Sequence, residues 1–247
     1  MSGWIPTLEN QKRGLEKLKH KPHLSLSIFN EVFMTNLVNF NPQEIEHAAH
    51  AISAVTHAVP GLYQALYETI GLFWTDPIKR KRREKNLKAE FEMAEEMIKG
   101  KKRLDDISAT LAKEVLEPAM EEDREELQKI WAALLARIMI GKDKIISGKI
   151  IDIIKECDSY TAIIVSAFPD ILADAGQNMI IEEMVEVIVN KKEDIVDIDD
   201  VSIALRWLEE KGCLKELGRS PVSYTVTALG RKLIQAVTFP ENKEETE

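Results

Sequence analysis

The stretch EEDREELQKIWAALLARIMI, residues 121–140, decides the reading of this chain. Leu127, Ile130, Trp131, Leu134, Leu135 and Ile138 recur at steps of three and four, which lines them along one face of a helix. Acidic residues crowd its start, where the helix dipole favours negative charge, and Arg137 sits near its end. Gly141 follows the last periodic residue, the usual place for a residue that must leave the helix left-handed. The pattern predicts a core helix over 121–140 with Trp131 filling the interior.

Outward from that helix, the flanking segments are also helical in pattern. Upstream, Leu104, Ile107, Leu111 and Val115 predict an amphipathic helix that stops near Pro118. Before it lies a segment, 77–99, that opens with Lys79, Arg80, Lys81, Arg82, Arg83 and Lys85 and turns acidic at Glu90, Glu92, Glu95 and Glu96. Leu87, Phe91, Ala94 and Ile98 repeat along it as a coiled-coil-like seam, which makes a homodimer an expectation. Cations at its N-terminal end oppose the helix dipole at a cost of about some tenths of a kcal/mol, so the basic cluster is expected to have a partner.

Further upstream, Leu24–Phe40 fits a buried helix, with a short strand at Leu24–Ser27 as the alternative. Asn41-Pro42-Gln43-Glu44 reads as a helix start, and the helix ends at Pro60-Gly61. Ala48–Trp74 is rich in small and apolar residues but interrupted by His50, His57, Pro60 and Glu68. A buried helical hairpin is the expectation, with membrane contact as the alternative.

Downstream, Ser147–Glu156 is helical, Asp158 or Ser159 caps a helix over Tyr160–Phe168, and Pro169 with Asp174-Ala175-Gly176 marks a domain boundary. Met179–Val189 and Asp199–Lys211 read as helices, the second closed by Gly212. Cys213–Leu217 and Val222–Thr227 are strand-like around Gly218-Arg219-Ser220-Pro221, and Leu229–Val237 is a closing helix. The fold class expected is mostly α: a multi-helix domain over 1–175, then a winged helix-turn-helix module over 176–238 with a two-stranded hairpin. An acidic tail at 239–247 is expected to be disordered. The run ALRWLEEKGCLKEL followed by YTVTALGRKLI resembles the winged-helix core of many bacterial regulators.

Composition narrows the function. Hydrophobic residues at 45% and charged residues at 30% suit a globular protein, whereas a net charge of -9 repels nucleic acid and anionic membrane unless a local patch reverses it. Cys157 and Cys213 have no CxxC spacing and read as reduced thiols. With no apolar leader at the N-terminus, the expected location is cytoplasmic.

The run Lys79–Lys88 is the one concentrated positive patch. It is a solvated face or a site for an anionic partner: a protein, a nucleic acid or a lipid headgroup at a peripheral membrane contact. On the winged module, Arg206, Arg219, Arg231 and Lys232 are the candidate contacts. The helix carrying Arg206 also presents Asp199, Asp200, Glu209 and Glu210, which disfavours a DNA phosphate. His47, His50 and His57 share a helical face without an HExxH arrangement, so no metal is expected. Phosphate-binding, dinucleotide-binding and nucleophile-elbow motifs are absent. The expectation is therefore no catalytic residues, no cofactor and no enzyme.

Two segments resemble a known family. Ile70–Trp74 running into Asp76–Arg82 is similar to a passage of the Abi-alpha family of bacterial abortive-infection proteins. Glu126–Ala136 is similar to that family's "LQELWANLLAN" helix. Ile150–Ile164 looks like its next pair of helices, and the resemblance covers roughly residues 62–235. After Arg137 this chain reads Ile-Met-Ile-Gly-Lys where the family tends to have Asn-Ala-Met-Asp-Pro. The resemblance implies a role in defence against phage and no particular mechanism; with no catalytic motif in the chain, the expected function is a non-enzymatic, antiviral defence protein acting through protein or membrane-surface contact, and a winged-helix DNA-binding regulator is the alternative. The resemblance supplies no catalytic residues.

Overall fold

In the computed structural model, residues 77–104, 107–175, 179–180, 184, 186, 198–219 and 222–239 are described. The chain divides into two units, Met1–His50 and Ala51–Glu247, and every described residue belongs to the second. The expected helices before residue 77, the three histidines, the apolar hairpin and the acidic tail at 241–247 all lie outside the described residues.

Among the described residues there are seven α-helices and a small antiparallel sheet. We number them α1 (Pro77–Met97), α2 (Ala109–Glu121), α3 (Glu125–Met139), α4 (Gly148–Glu156), α5 (Ser159–Ala175), β1 (Met179–Ile180), α6 (Ile198–Glu210), β2 (Leu214–Arg219), β3 (Val222–Val226) and α7 (Ala228–Val237). A 3₁₀ turn, Asp143–Ile145, links α3 to α4.

Helix α3 is the axis of the core. Leu127, Ile130 and every residue from Trp131 to Met139 are buried, and α1, α2, α5 and α7 pack around it. A helix buried nearly all round needs small residues as well as large ones. Ala132, Ala133 and Ala136 let neighbouring backbones approach beside Trp131. Gly141 adopts φ +72°, and the amide of Lys142 returns to the Arg137 carbonyl, closing the helix as expected of a left-handed C-terminal glycine.

The start of the helix differs from the expectation of 121–140. Glu121 is the last residue of α2, Glu122–Arg124 form the corner, and only Glu125 and Glu126 occupy the first turn of α3. Pro118 stands inside α2 rather than ending it, and Pro169 stands inside α5, which runs on to Ala175. Asp158, rather than Ser159, caps α5 through its Oδ1, which accepts from the Thr161 amide at 2.7 Å.

The seam Leu87, Phe91, Ala94 and Ile98 is at most 2% exposed. Helix α1 packs against α2 and α3, so this stripe is buried within its own chain and does not offer a surface for a second copy. Basic residues at its head find their counter-charges in the same chain, as described below.

Met179–Ile180, expected within a helix, is instead a strand: Met179 pairs with Tyr224 and Ile180 with Ser223. The sheet order is β1-β3-β2, all antiparallel. Gly218 and Arg219, expected in the turn, belong to β2, and Ser220 and Pro221 lie outside the described residues. The register shifts between Glu216 and Gly218, a bulge that leaves Leu217 unpaired and 49% exposed. Gly212, at φ +76°, ends α6 as expected. Gly230 lets α7 meet the sheet: a Cβ there would lie 2.0 Å from the Cys213 carbonyl oxygen.

Candidate functional site

Two places gather the residues singled out by the sequence. One is the corner where α1 passes the α2–α3 junction, and the other is the outer face of α6 with the hairpin beside it.

At the corner, Arg82 donates to Glu121 at 2.6 Å and approaches Asp123 at 3.3 Å. Arg83 is buried and also bonds Glu121. The hydrogen bond to Glu121, followed by the charge of Asp123, raises the pKa of Arg82. Burial pushes the Glu121 carboxyl up, but hydrogen bonds from Arg83 and Arg82 outweigh it and hold the group below its ordinary range. One turn along α1, the Asn86 side-chain amide donates to Asp123 Oδ1 at 2.9 Å and to the Met120 carbonyl at 3.3 Å. Arg82 and Arg83 of the basic run therefore have partners, and these are carboxylates of the same fold. Lys79, Lys81 and Lys85 are exposed, while the side chain of Arg80 lies outside the described ones.

One further turn along stands Glu90, fully buried, with neither carboxyl oxygen hydrogen-bonded. Burial, with the charge of Glu122 as the second cause, pushes its pKa well above the usual carboxylate range. A carboxyl in this setting is held as the neutral acid. The sequence shows Glu90 only as the first acidic residue after the basic run. The signal that would have found it is spacing, because Arg83, Leu87, Glu90 and Ala94 fall at steps of four, three and four.

Beside the corner is a recess of about 460 Å³ lined by Pro118, Glu121, Glu122, Asp123, Arg124, Trp131 and Lys155. Arg124 bridges Glu122, at 2.7 Å, and the Cys157 carbonyl, at 3.1 Å. The recess thus mixes three carboxylates with two cations, and no Ser, Thr, Cys or His is among its lining residues. Both cysteines are free and buried, and burial raises Cys157 to about 12 and Cys213 to about 11, which keeps them as unreactive thiols. Among the described residues no group of three or more His, Cys, Asp or Glu side chains could hold a metal. No helix among them is long and apolar enough to cross a membrane.

The second place is α6. Its inner face buries Val201, Ala204, Leu205 and Leu208. Its outer face exposes Asp199, Ile203, Arg206 and Glu210, again at steps of four, three and four. Ile203 is 65% exposed and Ile198, at the helix start, 48%. Glu209 turns back to accept the Glu216 amide at 2.9 Å, fastening β2 to α6.

The candidate contacts of the module are distributed over separate elements. Arg206 is exposed on α6 and makes no ion pair among the described residues. Arg219 ends β2, its side chain outside the described ones. On α7, Arg231 donates to the Val226 carbonyl at 2.9 Å, and Lys232 is exposed. No basic cluster forms on α6 itself.

Arg137, expected to favour its helix end electrostatically, has another task. It is buried, and its guanidinium donates to the carbonyls of Ala236, at 3.1 Å, and Thr238, satisfying the C-terminal turn of α7. The core helix is thereby tied to the last helix across about one hundred residues of sequence. Compared with known protein families, curated proteins and solved structures, the chain finds no match in any of the three.

Proposed function

We propose that this chain is a non-enzymatic, abortive-infection-like defence protein that acts by engaging a protein through its C-terminal module. The observation that carries the binding half of this reading is Ile203, 65% exposed at the middle of α6. The element order α5, β1, α6, β2, β3, with helical residues at 184 and 186 between β1 and α6, supports reading this part as a winged helix-turn-helix module. In such a module α6 takes the position of the recognition helix. Base readout there calls for Arg, Lys, Asn or Gln, whereas this helix presents an isoleucine flanked by Asp199 and Glu210. An apolar centre with a charged rim is the composition of a protein interface. The defence role rests on the resemblance of Ile70–Arg82 and Glu126–Ala136 to the Abi-alpha family.

The test is a phage challenge of cells carrying the gene, with Ile203→Asp as a folded control. Protection at low multiplicity with culture collapse at high multiplicity, lost in the variant, is the expected outcome. Unchanged plating by the wild type over a broad phage panel would reject the defence reading.

One observation favours a DNA-binding regulator: the exposed Arg206 on α6. A salt-dependent gel shift on upstream DNA checks it, and no shift at low salt removes it.

A further inference from the structure

We infer that the outer face of α6 pairs with the same face of a second copy of this chain, the two helices running antiparallel about a two-fold axis at Ile203. The inference rests on the reading of α6 as a protein-binding face and names the partner. Isologous contacts require a surface complementary to itself, and the exposed stripe Asp199, Ile203, Arg206, Glu210 has that property when two copies run antiparallel about Ile203.

With the axis at Ile203, the residue n positions after it opposes the residue n positions before it. Ile203 meets Ile203, removing from water the most exposed large apolar side chain among the described residues. Arg206 then lies on the same flank as Asp199 of the other copy, one residue short of it along the axis, and the symmetry repeats the pair. These groups lie about 4.5 and 6 Å along the axis from the centre, within reach of a long guanidinium side chain. Glu210 falls opposite position 196, beyond the first residue of the partner's α6, and so does not face Asp199.

The alternatives bring like charges together. Parallel pairing sets Arg206 against Arg206 and Asp199 against Asp199. An antiparallel axis midway between Ile203 and Arg206 sets Asp199 against Glu210. Both registers are repulsive, and the axis at Ile203 is the one that also sets the two isoleucines against each other. One helix face from each copy belongs to the small class of interfaces, below about 1,200 Å², so the dimer is a weak one.

The experiment is sedimentation of the full chain over about 1–300 µM, a range that brackets a micromolar dimer. The wild type is expected to pass from monomer to dimer, and Ile203→Asp to raise the dissociation constant by at least about tenfold. Arg206→Asp makes the stripe wholly acidic, and Asp199→Arg with Asp200→Arg makes it basic around Ile203. Each of these chains is expected to be monomeric alone and to form a heterodimer when mixed one to one. Circular dichroism confirms that each is folded.

A wild type that stays monomeric, or a dimer indifferent to Ile203→Asp, overturns the inference. Folded charge variants that fail to associate when mixed overturn the register. The functional reading fails separately: Ile203→Asp that abolishes the dimer yet leaves phage protection intact removes that reading and keeps the pairing. Loss of protection in a chain whose wild type is monomeric does the reverse.

Discussion

The corner of α1, α2 and α3 and the outer face of α6 invert one another. At the corner, charged groups point inward: Arg83 and Glu90 are buried while Lys81 and Lys85 stay outside. On α6 an isoleucine points outward between charged neighbours. Both regions depart from the rule that apolar groups face in and charges face out, and the reasons differ. A buried charge persists only where a partner or a proton neutralises it, as Glu121 does for Arg83 and as protonation does for Glu90. An exposed isoleucine has no such restoring interaction among the described residues, and it is the centre of the face proposed above to bind. The departure turned inward concerns stability, and the one turned outward carries the binding proposal.

That contrast predicts large stability effects at the corner and small ones on α6. Trp131→Ala, beside the recess, should cost about 3–5 kcal/mol in urea unfolding, since it empties the largest buried side chain of α3. A loss below about 1 kcal/mol would mean the corner is not the core it resembles.

Glu121→Ala leaves Arg83 buried without its carboxylate and should cost about 1–3 kcal/mol, less than a fully buried pair because Glu121 is itself partly exposed. Its depressed pKa stabilises the fold above the unfolded carboxylate value, and that contribution is lost as pH falls through the folded value. Glu121→Gln should therefore flatten the acid limb of the stability curve.

Glu90 works in the opposite direction. Its folded pKa is raised, so the native state keeps a proton that the unfolded chain releases, and stability falls as pH climbs above about 4.5. Glu90→Gln should leave stability near pH 4 almost unchanged and raise it by about 1–2 kcal/mol at pH 7. Parallel pH profiles for the two proteins would show that Glu90 is not held neutral.

Ile203→Ser, finally, should shift stability by less than about 0.5 kcal/mol while changing association. A shift of several kcal/mol would make Ile203 part of the core and break the comparison.

Much of this arrangement was legible along the chain. Periodicity found α3, and positive-φ glycines at 141 and 212 stood where helix endings were expected. The alternation around Val222–Thr227 announced the hairpin, because these features are local and need only neighbours within a few residues. The same local reading misjudged Pro118 and Pro169, each of which stands within a helix whose packing outweighs one missing hydrogen bond.

The strand Met179–Ile180 could not be read locally. Two residues of an apolar run carry no period, and they are a strand only because Tyr224 and Ser223 lie alongside. Likewise, Leu87–Ile98 is the same stripe whether it faces a second copy or its own α2 and α3, and only the long-range fold chose the latter.

By itself the sequence determined a mostly helical chain with α3 at its centre, a closing hairpin and helix, and a dense basic run at the head of α1. Tertiary structure alone decided what those charges do. It brought Arg82 and Arg83 to Glu121, buried Glu90, and carried Arg137 to the end of α7. Helical period depends on residues three and four apart, whereas pairing and burial depend on groups about forty to one hundred residues distant, whose positions no local pattern encodes.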